Sequence, residues 1–329
     1  MILRRRRTAA PQPAPEPAGQ VVVVTDSTSG LSTSAASGGV DVIGRSAPCD
    51  DFLALGDVSK LPSLSGGVDV IVPLQIITAD GPRSEGVDIS SDDVVARVAA
   101  GEVLTTSQPA PVVFADAYRT AAASGAPGVV SVHLSGELSG TAGVARFAAG
   151  RAMLPVRVVD SRTAAGCLGF AAKAAVECAT AGADLEHVAA RAQQVAANSH
   201  GLFLVDSLEH LRRGGRLSAT ATALGGALGL KPILEMRQGR IEAIARVRSR
   251  RLAVGRLGEL VIARAASATN LAVVVHHFGA PERAHELAAQ LGDALQVAPA
   301  VTPISAVLGV HLGPGAIAVA IADLGDHSH

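Results

Sequence analysis

The residue types that could bind or transform a ligand are concentrated in three hydroxyl-rich loops and one glycine turn. The loops are Thr25-Asp26-Ser27-Thr28, Thr105-Thr106-Ser107-Gln108-Pro109, and Ser135 to Thr141, which includes Ser139 and Gly140. Each lies between a β or extended run and a helical stretch. Hydroxyls and free backbone N–H groups at helix N-termini hold an anion without a formal cation. His311, within Gly309-Val310-His311-Leu312-Gly313-Pro314-Gly315, adds one donor whose charge can switch. Any single loop reads as an ordinary cap or turn. The three together, with the histidine, point to a carboxylate or phosphate site.

Other chemistries find little support. The chain has no GxxxxGK[ST] phosphate loop, no GxSxG elbow and no HExxH pair. Its one GxGxx[GA] match, Gly313 to Ala318, leads into a β-rich run instead of opening a helix. His276 and His277 are adjacent at a strand end, so they point to opposite faces and do not share a metal. Cys49, Cys167 and Cys178 lack CxxC spacing and are odd in number, which argues against a disulfide framework or zinc ribbon and fits a reducing cytoplasm. Two basic clusters, Arg212-Arg213 with Arg216 and Arg246 to Arg251, read in isolation as solvated faces.

The elements that must position these residues alternate. Apolar runs at 21–27, 40–44, 68–74, 128–134 and 156–161 end in polar residues, and helical patterns at 90–100 and 111–123 lie between them. Strands buried on both faces and separated by helices predict a parallel, doubly wound, Rossmann-like sheet. Such sheets bind ligands beyond the carboxyl ends of their strands. Residues 163–198 read as helical, with Asp184 capping a helix striped by Leu185, Val188, Ala192 and Val195. A second, mixed α/β region follows: a strand at 202–207, a short helix at 208–213, and a hairpin of 231–236 with 240–247 around Gln238-Gly239. Then come a helix near 250–266, a strand at 271–276, a helix near 281–291 and two strands near 305–310 and 315–321. The resulting division is an extension at 1–20, an α/β domain at 21–165, a helical connection at 166–198, a second α/β domain at 199–324 and a tail at 325–329.

The chain's 329 residues exceed what one core usually absorbs, in keeping with two domains. At 48% hydrophobic and 17% charged with net charge −1, it is neither a disordered chain nor a typical nucleic-acid binder. An aromatic content of 2% also leaves too few rings for a base-stacking platform. Residues 305–322 carry no Asp, Glu, Lys or Arg, but the interrupting glycines and Pro314 favour two buried strands over a membrane span. The N-terminal MILRRRRTAAPQPAPEPAGQ lacks an apolar run after its arginines, so it reads as a solvated tail and not a secretory signal. These features predict a soluble, cytoplasmic protein, with at most transient contact with a membrane surface.

Ordered blocks along nearly the whole chain, from about Val21 to Leu324, resemble the DegV family of bacterial fatty-acid-binding proteins. They are TDSTSGL (25–31), VPLQI (72–76), GVDIS (86–90), TTSQPAP (105–111), SVHLSGELSGT (131–141), DSRTAAGCLG (160–169), DSLEHLRRGGRLS (206–218), LKPIL (230–234) and GVHLGPGAIAV (309–319). The resemblance implies a two-domain α/β protein with a long-chain fatty acid buried between its domains and no other cofactor. It implies a carrier without a catalytic motif of its own, acting as the acyl-carrying subunit of a fatty-acid kinase. A separate ATP-binding subunit would phosphorylate the carboxylate, giving an acyl phosphate for phospholipid synthesis.

By the same resemblance, Ser107 with Thr106, and His311, hold the carboxylate, while Ser27, Ser139 and Gly140 surround the mouth. Gln75 stands where relatives often carry a hydroxyl, and Ala110 replaces a serine of the usual TSQPSP. Glu85 fills an acidic position before the GVD block and reads as structural. Arg212, Arg213 and Arg216 become a docking surface for the kinase subunit. Burying about fourteen methylenes of a sixteen-carbon chain, at roughly 0.8 kcal/mol each, gives on the order of 11 kcal/mol before association costs. Apolar helices such as 218–230 could supply the walls. Two other readings stay open: a hydrolase or acyltransferase using Ser107 or Ser139 with His311, and a nucleotide or cofactor binder on a Rossmann-like sheet.

Overall fold

The structure, a computed structural model, describes residues 19–31, 68–217 and 230–325. The basic extension up to residue 18, the strand expected at 40–44, the apolar stretch 218–229 and the last four residues lie outside the described residues.

The chain enters through β1 (Val22–Asp26) and pairs it in parallel with β2 (Val70–Val72). An antiparallel hairpin, β3 (Gln75–Thr78) and β4 (Gly81–Ser84), follows, then α1 (Ser91–Ala99). Ser90 and Asp93 close a reciprocal capping box at the start of α1, within the helical pattern read at 90–100. The segment β5 (Thr105–Ser107) adds to β3, making a three-stranded sheet that the sequence had not suggested. Next come α2 (Pro111–Ala123), β6 (Val129–His133), α3 (Thr141–Ala149) and β7 (Val156–Asp160). The order β2-β1-β6-β7 is parallel throughout. It carries α2 and α3 on one face, and α4 (Gly166–Thr180) and α5 (Leu185–Ala197) on the other. This is the doubly wound arrangement, and the strand order reverses between β1 and β6.

The second sheet is mixed. It contains β8 (Ser199–Leu204), which leads to α6 (Glu209–Arg213), then β9 (Lys231–Arg237) and β10 (Arg240–Val247). After α7 (Arg250–Ala265), β11 (Leu271–His277) and α8 (Pro281–Leu295) come β12 (Ala300–Pro303), α9 (Ala306–Leu312) and β13 (Ile317–Asp323). The order is β10-β9-β8-β13-β11-β12, antiparallel except for the β11–β12 pair. Gln238 and Gly239 both have positive φ, as a tight two-residue hairpin turn of the primed type requires.

One expectation fails here. Residues 306–312 form a helix, not a strand, and the strand that precedes β13 in this region is β12 at 300–303. A short apolar run carries no period that separates a buried strand from a buried helix. The local signal was Ser305, whose side chain accepts the Leu308 N–H as an N-cap, with Gly313 at the other end.

The helices at 166–197 are more than a connection. Ten residues of α4 are buried, and the helix touches β1 and β6 of the parallel sheet as well as β8 and β13 of the mixed one. Side chains of both sheets and of α4 and α5 form one continuous core. Among the described residues, a smaller core lies under α2 and α3, another under α7 and α8, and a third small cluster joins Val68 and Ile71 to Ala172 of α4. Gly166 makes the close approach: a Cβ there would run into Val274, His276 and Ala320. Its N–H donates to Nε2 of buried His276 at 3.1 Å, while Nδ1 of that ring meets Thr302 Oγ1 at 2.7 Å. Burial pushes His276 down to about 4, so the ring is neutral; its proton sits on Nδ1 and goes to Thr302.

Candidate functional site

A cavity of about 280 Å³ opens between the two sheets, close to the lower bound of the usual ligand-pocket range of roughly 300–1,000 Å³. Leu74 after β2, and Leu134, Leu138, Ser139 and Gly140 after β6, bring it to the carboxyl ends of the parallel strands. Thr106, Ser107 and Gln108 reach it from the end of β5. The mixed sheet and its helices close it with Leu211, Arg216, Ile241, Val307, Leu308, His311 and Leu312. The position beyond the carboxyl ends, beside the point where the strand order reverses, is where an open α/β sheet binds ligands.

The polar groups converge from separate elements. His311 Nε2 lies 2.8 Å from Thr106 Oγ1, joining α9 to β5. Burial, with Arg216 and His210 adding repulsion, holds the imidazole down at about 4. It is therefore neutral at pH 7 and can donate or accept without forming an ion pair. Its Nδ1 side lies against Gly214, where a Cβ would overlap the ring. Ser107 Oγ donates to the Gln108 carbonyl at 3.2 Å, a long bond that a better acceptor could replace. Ser139 Oγ meets Thr141 Oγ1 at 2.8 Å in the turn that opens α3, and Gly140 caps that helix without a side chain. The Gln108 amide lies over Gly140, and any Cβ there would strike it.

Five of the residues expected at an anion site, Thr106, Ser107, Ser139, Gly140 and His311, thus line one cavity. Two others turn elsewhere. Gln75 sits directly opposite Ser107 in the small sheet, but its amide donates to Ser84 Oγ at 2.9 Å. Ser27 donates to Glu85 Oε2 at 2.5 Å and accepts the Leu74 N–H at 3.0 Å, so its hydroxyl is already engaged. The arginines also separate. Arg212 and Arg213 are exposed and pair with Glu209 and His210. Arg216 turns inward, donating to the carbonyls of Leu138 and Gly214, and borders the cavity.

Sequence reasoning missed Gln108 and the inward turn of Arg216. It also missed the apolar lining, since Leu74, Leu211, Ile241 and Val307 come from four distant segments. A second arrangement went unnoticed because it is wholly buried. Asp26 Oδ2 lies 3.1 Å from His133 Nδ1, and His133 Nε2 lies 2.6 Å from Ser131 Oγ, which also accepts the Tyr118 hydroxyl. The order is that of a catalytic triad. All four side chains are at most 1% exposed, however, and the Phe114 ring packs edge-on against His133. Asp26 also accepts the Leu134 N–H at 2.9 Å, so this network pins together the strand ends beneath the cavity. Among the described residues no cluster of His, Cys, Asp and Glu is suited to a metal, and no helix is long and apolar enough to cross a membrane.

Comparison with known proteins agrees with this architecture. A sequence model described as an uncharacterised protein of the DegV family matches residues 67–324. A DegV domain-containing protein of Streptomyces coelicolor is 42% identical over 252 residues, covering 76% of this chain and 89% of its own. One from Mycobacterium tuberculosis is 40% identical over 257 residues, covering 76% and 88%. Among solved structures, a DegV family protein from Thermus thermophilus, described for its fatty acid binding, is 30% identical with a TM-score of 0.76, covering 92% of this chain and 99% of its own. The Bacillus subtilis DegV, described as a fatty acid binding protein, has the same TM-score at 25% identity, covering 93% and 99%. Matched along its length by the family's sequence pattern and in its fold by the family's solved structures, the chain belongs to the DegV family.

Proposed function

We propose that this protein is a carrier for a long-chain fatty acid. The observation that carries the reading is the cavity between the two sheets, where a neutral histidine and hydroxyls from two loops, Thr106 and Ser107 in one and Ser139 in the other, stand among leucine, isoleucine and valine side chains. The carboxylate lies against Ser107, Thr106, Ser139, the Gly140 turn and His311. The acyl chain runs along Leu74, Leu134, Leu211, Ile241, Val307 and Leu312. Hydrogen-bond donors hold a carboxylate while leaving it able to react. The fatty acid binding described for the Thermus and Bacillus proteins supports the same ligand class here.

The protein presents this carboxylate to a separate ATP-binding kinase subunit in the cytoplasm, which forms the acyl phosphate. Arg212 and Arg213, exposed on α6 beside the cavity wall residue Leu211, are the docking candidates. A carrier is favoured over a hydrolase by the surroundings of His311. Its Nε2 is engaged by Thr106, and its Nδ1 faces Gly214 instead of a carboxylate that would orient a catalytic base.

Native mass spectrometry of the protein purified from bacteria, followed by solvent extraction, tests the reading. A bound mass released as a free fatty acid is the expected result; an empty protein that takes up no added palmitate overturns it. Ser107→Ala removes one hydrogen bond to a charged group, worth about 1.5–3 kcal/mol, so palmitate affinity should fall roughly ten- to hundredfold. Isothermal titration checks this. Ester turnover by the isolated protein, abolished by the same substitution, would support the hydrolase instead.

A further inference from the structure

Glu85 lies outside the cavity, yet one buried carboxyl links two of its walls. It is 6% exposed and stands just after β4. Oε1 accepts the N–H of Val307, in the first turn of α9, at 2.8 Å. Oε2 accepts the hydroxyl of Ser27, which itself accepts the Leu74 N–H. Val307 and Leu74 both line the cavity, and α9 also brings Leu308, His311 and Leu312 to it. The loops after β1 and β2 are thus tied to α9 through this single group.

We propose that Glu85 is a positioning residue that fixes where α9 stands against the loops after β1 and β2, and so where the His311 imidazole meets an anionic headgroup. The inference rests on the fatty-acid reading for the identity of that headgroup, but not for the link itself.

The link responds to pH. An ionised carboxylate accepts from both Val307 and Ser27; a protonated one spends one oxygen as a donor and must give up part of that pattern. Burial raises Glu85 to about 7, outweighing the lowering effect of bonds from Ser27, Val307 and Ser305. The charge acting on it is that of Asp26 at the end of β1, whose other neighbour is His133 on β6. The 3-10 turn Ser27–Ser29 after β1 offers the Ser27 hydroxyl, and the start of α9 offers the hydroxyl of its N-cap Ser305 and the Val307 amide. On α1, Asp93 is engaged by Ser90 and Arg97 by Glu102 and Asp80. His311, held at about 4, keeps its own charge state across the neutral range.

The test is the release rate of isotope-labelled palmitate between pH 6 and pH 8, followed by native mass spectrometry of the full chain. The wild type should release palmitate several-fold more slowly above pH 7 than below it. Glu85→Gln, which still offers a carbonyl to the Val307 N–H, should keep its lipid and lose the step. Ser27→Ala removes a bond that lowers the Glu85 value, so its step should move to higher pH. An identical step in wild type and E85Q overturns the proposal. The His311 imidazole NMR signals of lipid-free protein give a readout independent of the ligand. They should shift near pH 7 in the wild type and stay flat in E85Q, and a flat wild type overturns the positioning role. Failure of every variant to bind palmitate would sink the fatty-acid reading alone, with the NMR profile still deciding the role of Glu85.

Discussion

Glu85, buried, and His311, half-buried at the cavity wall, are ionisable groups shifted in opposite directions by the same physical cause, because loss of water disfavours the charged form of each. For Glu85 this has a consequence for stability. Its carboxyl titrates near 4.5 when unfolded and at about 7 when folded. Between those values the native state holds a proton that the unfolded chain has lost, so stability falls as pH rises from 4.5 to 7 and is level above that. The integrated loss is on the order of 3 kcal/mol. The histidines pushed down, His276 and His311, act the other way: they cost stability as pH falls below their unfolded value of 6.5. Because they are common to both proteins, the wild type should lose stability relative to E85Q between pH 5 and pH 8. Urea unfolding at the two pH values checks this, and a constant difference would show that the carboxyl is not held at that value.

At the scale of elements, capping chemistry made several helices readable. Ser90 with Asp93, Asp184 and Pro111 all stand at helix starts. What local pattern could not supply was the environment of a short apolar run, hence the helix at 306–312 and the unexpected sheet formed by β3, β4 and β5. Nor could it show that α4 lies between two sheets. Gly166 is the residue that permits it, and Ala165 before it adopts φ 53, a strained value for a residue with a side chain. Gly166→Ala should force α4 away from Val274 and His276 and destabilise the fold by about 1–3 kcal/mol. A lowered urea midpoint at unchanged m-value would report that loss, whereas wild-type stability would mean the interface is loose.

At the scale of the whole molecule, the turn of the β9–β10 hairpin fastens the mixed sheet to the parallel one. Ser135 Oγ donates to the Gly239 carbonyl at 2.7 Å, Arg162 donates to the Gln238 carbonyl at 2.6 Å, and Arg240 pairs with Glu137. These contacts seat Ile241 at the cavity, where it pairs with Leu217 from the segment after α6. The arginine cluster is divided by its partners, Arg212 and Arg213 bonding within α6 and Arg216 bonding Leu138 and Gly214, and two substitutions should separate its parts. Arg213→Ala leaves the cavity intact, so lipid content should be unchanged while turnover by the proposed kinase subunit falls. Arg216→Ala removes a side chain that holds Leu138 and Gly214 at the cavity, so lipid retention should fall as well. Measuring bound lipid and acyl-phosphate formation on both variants checks this, and equal effects would remove the distinction.

The sequence by itself determined the alternation of strands and helices, the parallel sheet, most helix starts and the identity of the loops that carry hydroxyls. These follow from periodicity, capping and turn chemistry, all of which act within a few residues. The convergence of Thr106, Ser107, Ser139, Gly140 and His311 was legible only as separate motifs of suitable type. Tertiary structure alone decided that Ser27 and Gln75 are used up by Glu85 and Ser84, that Arg216 faces inward, and that Glu85 ties α9 to the opposite wall. Those outcomes depend on which donor reaches which acceptor across gaps of up to 222 residues. In a buried site every polar group must find a partner, and that choice is made by packing in three dimensions, not by neighbours in the chain.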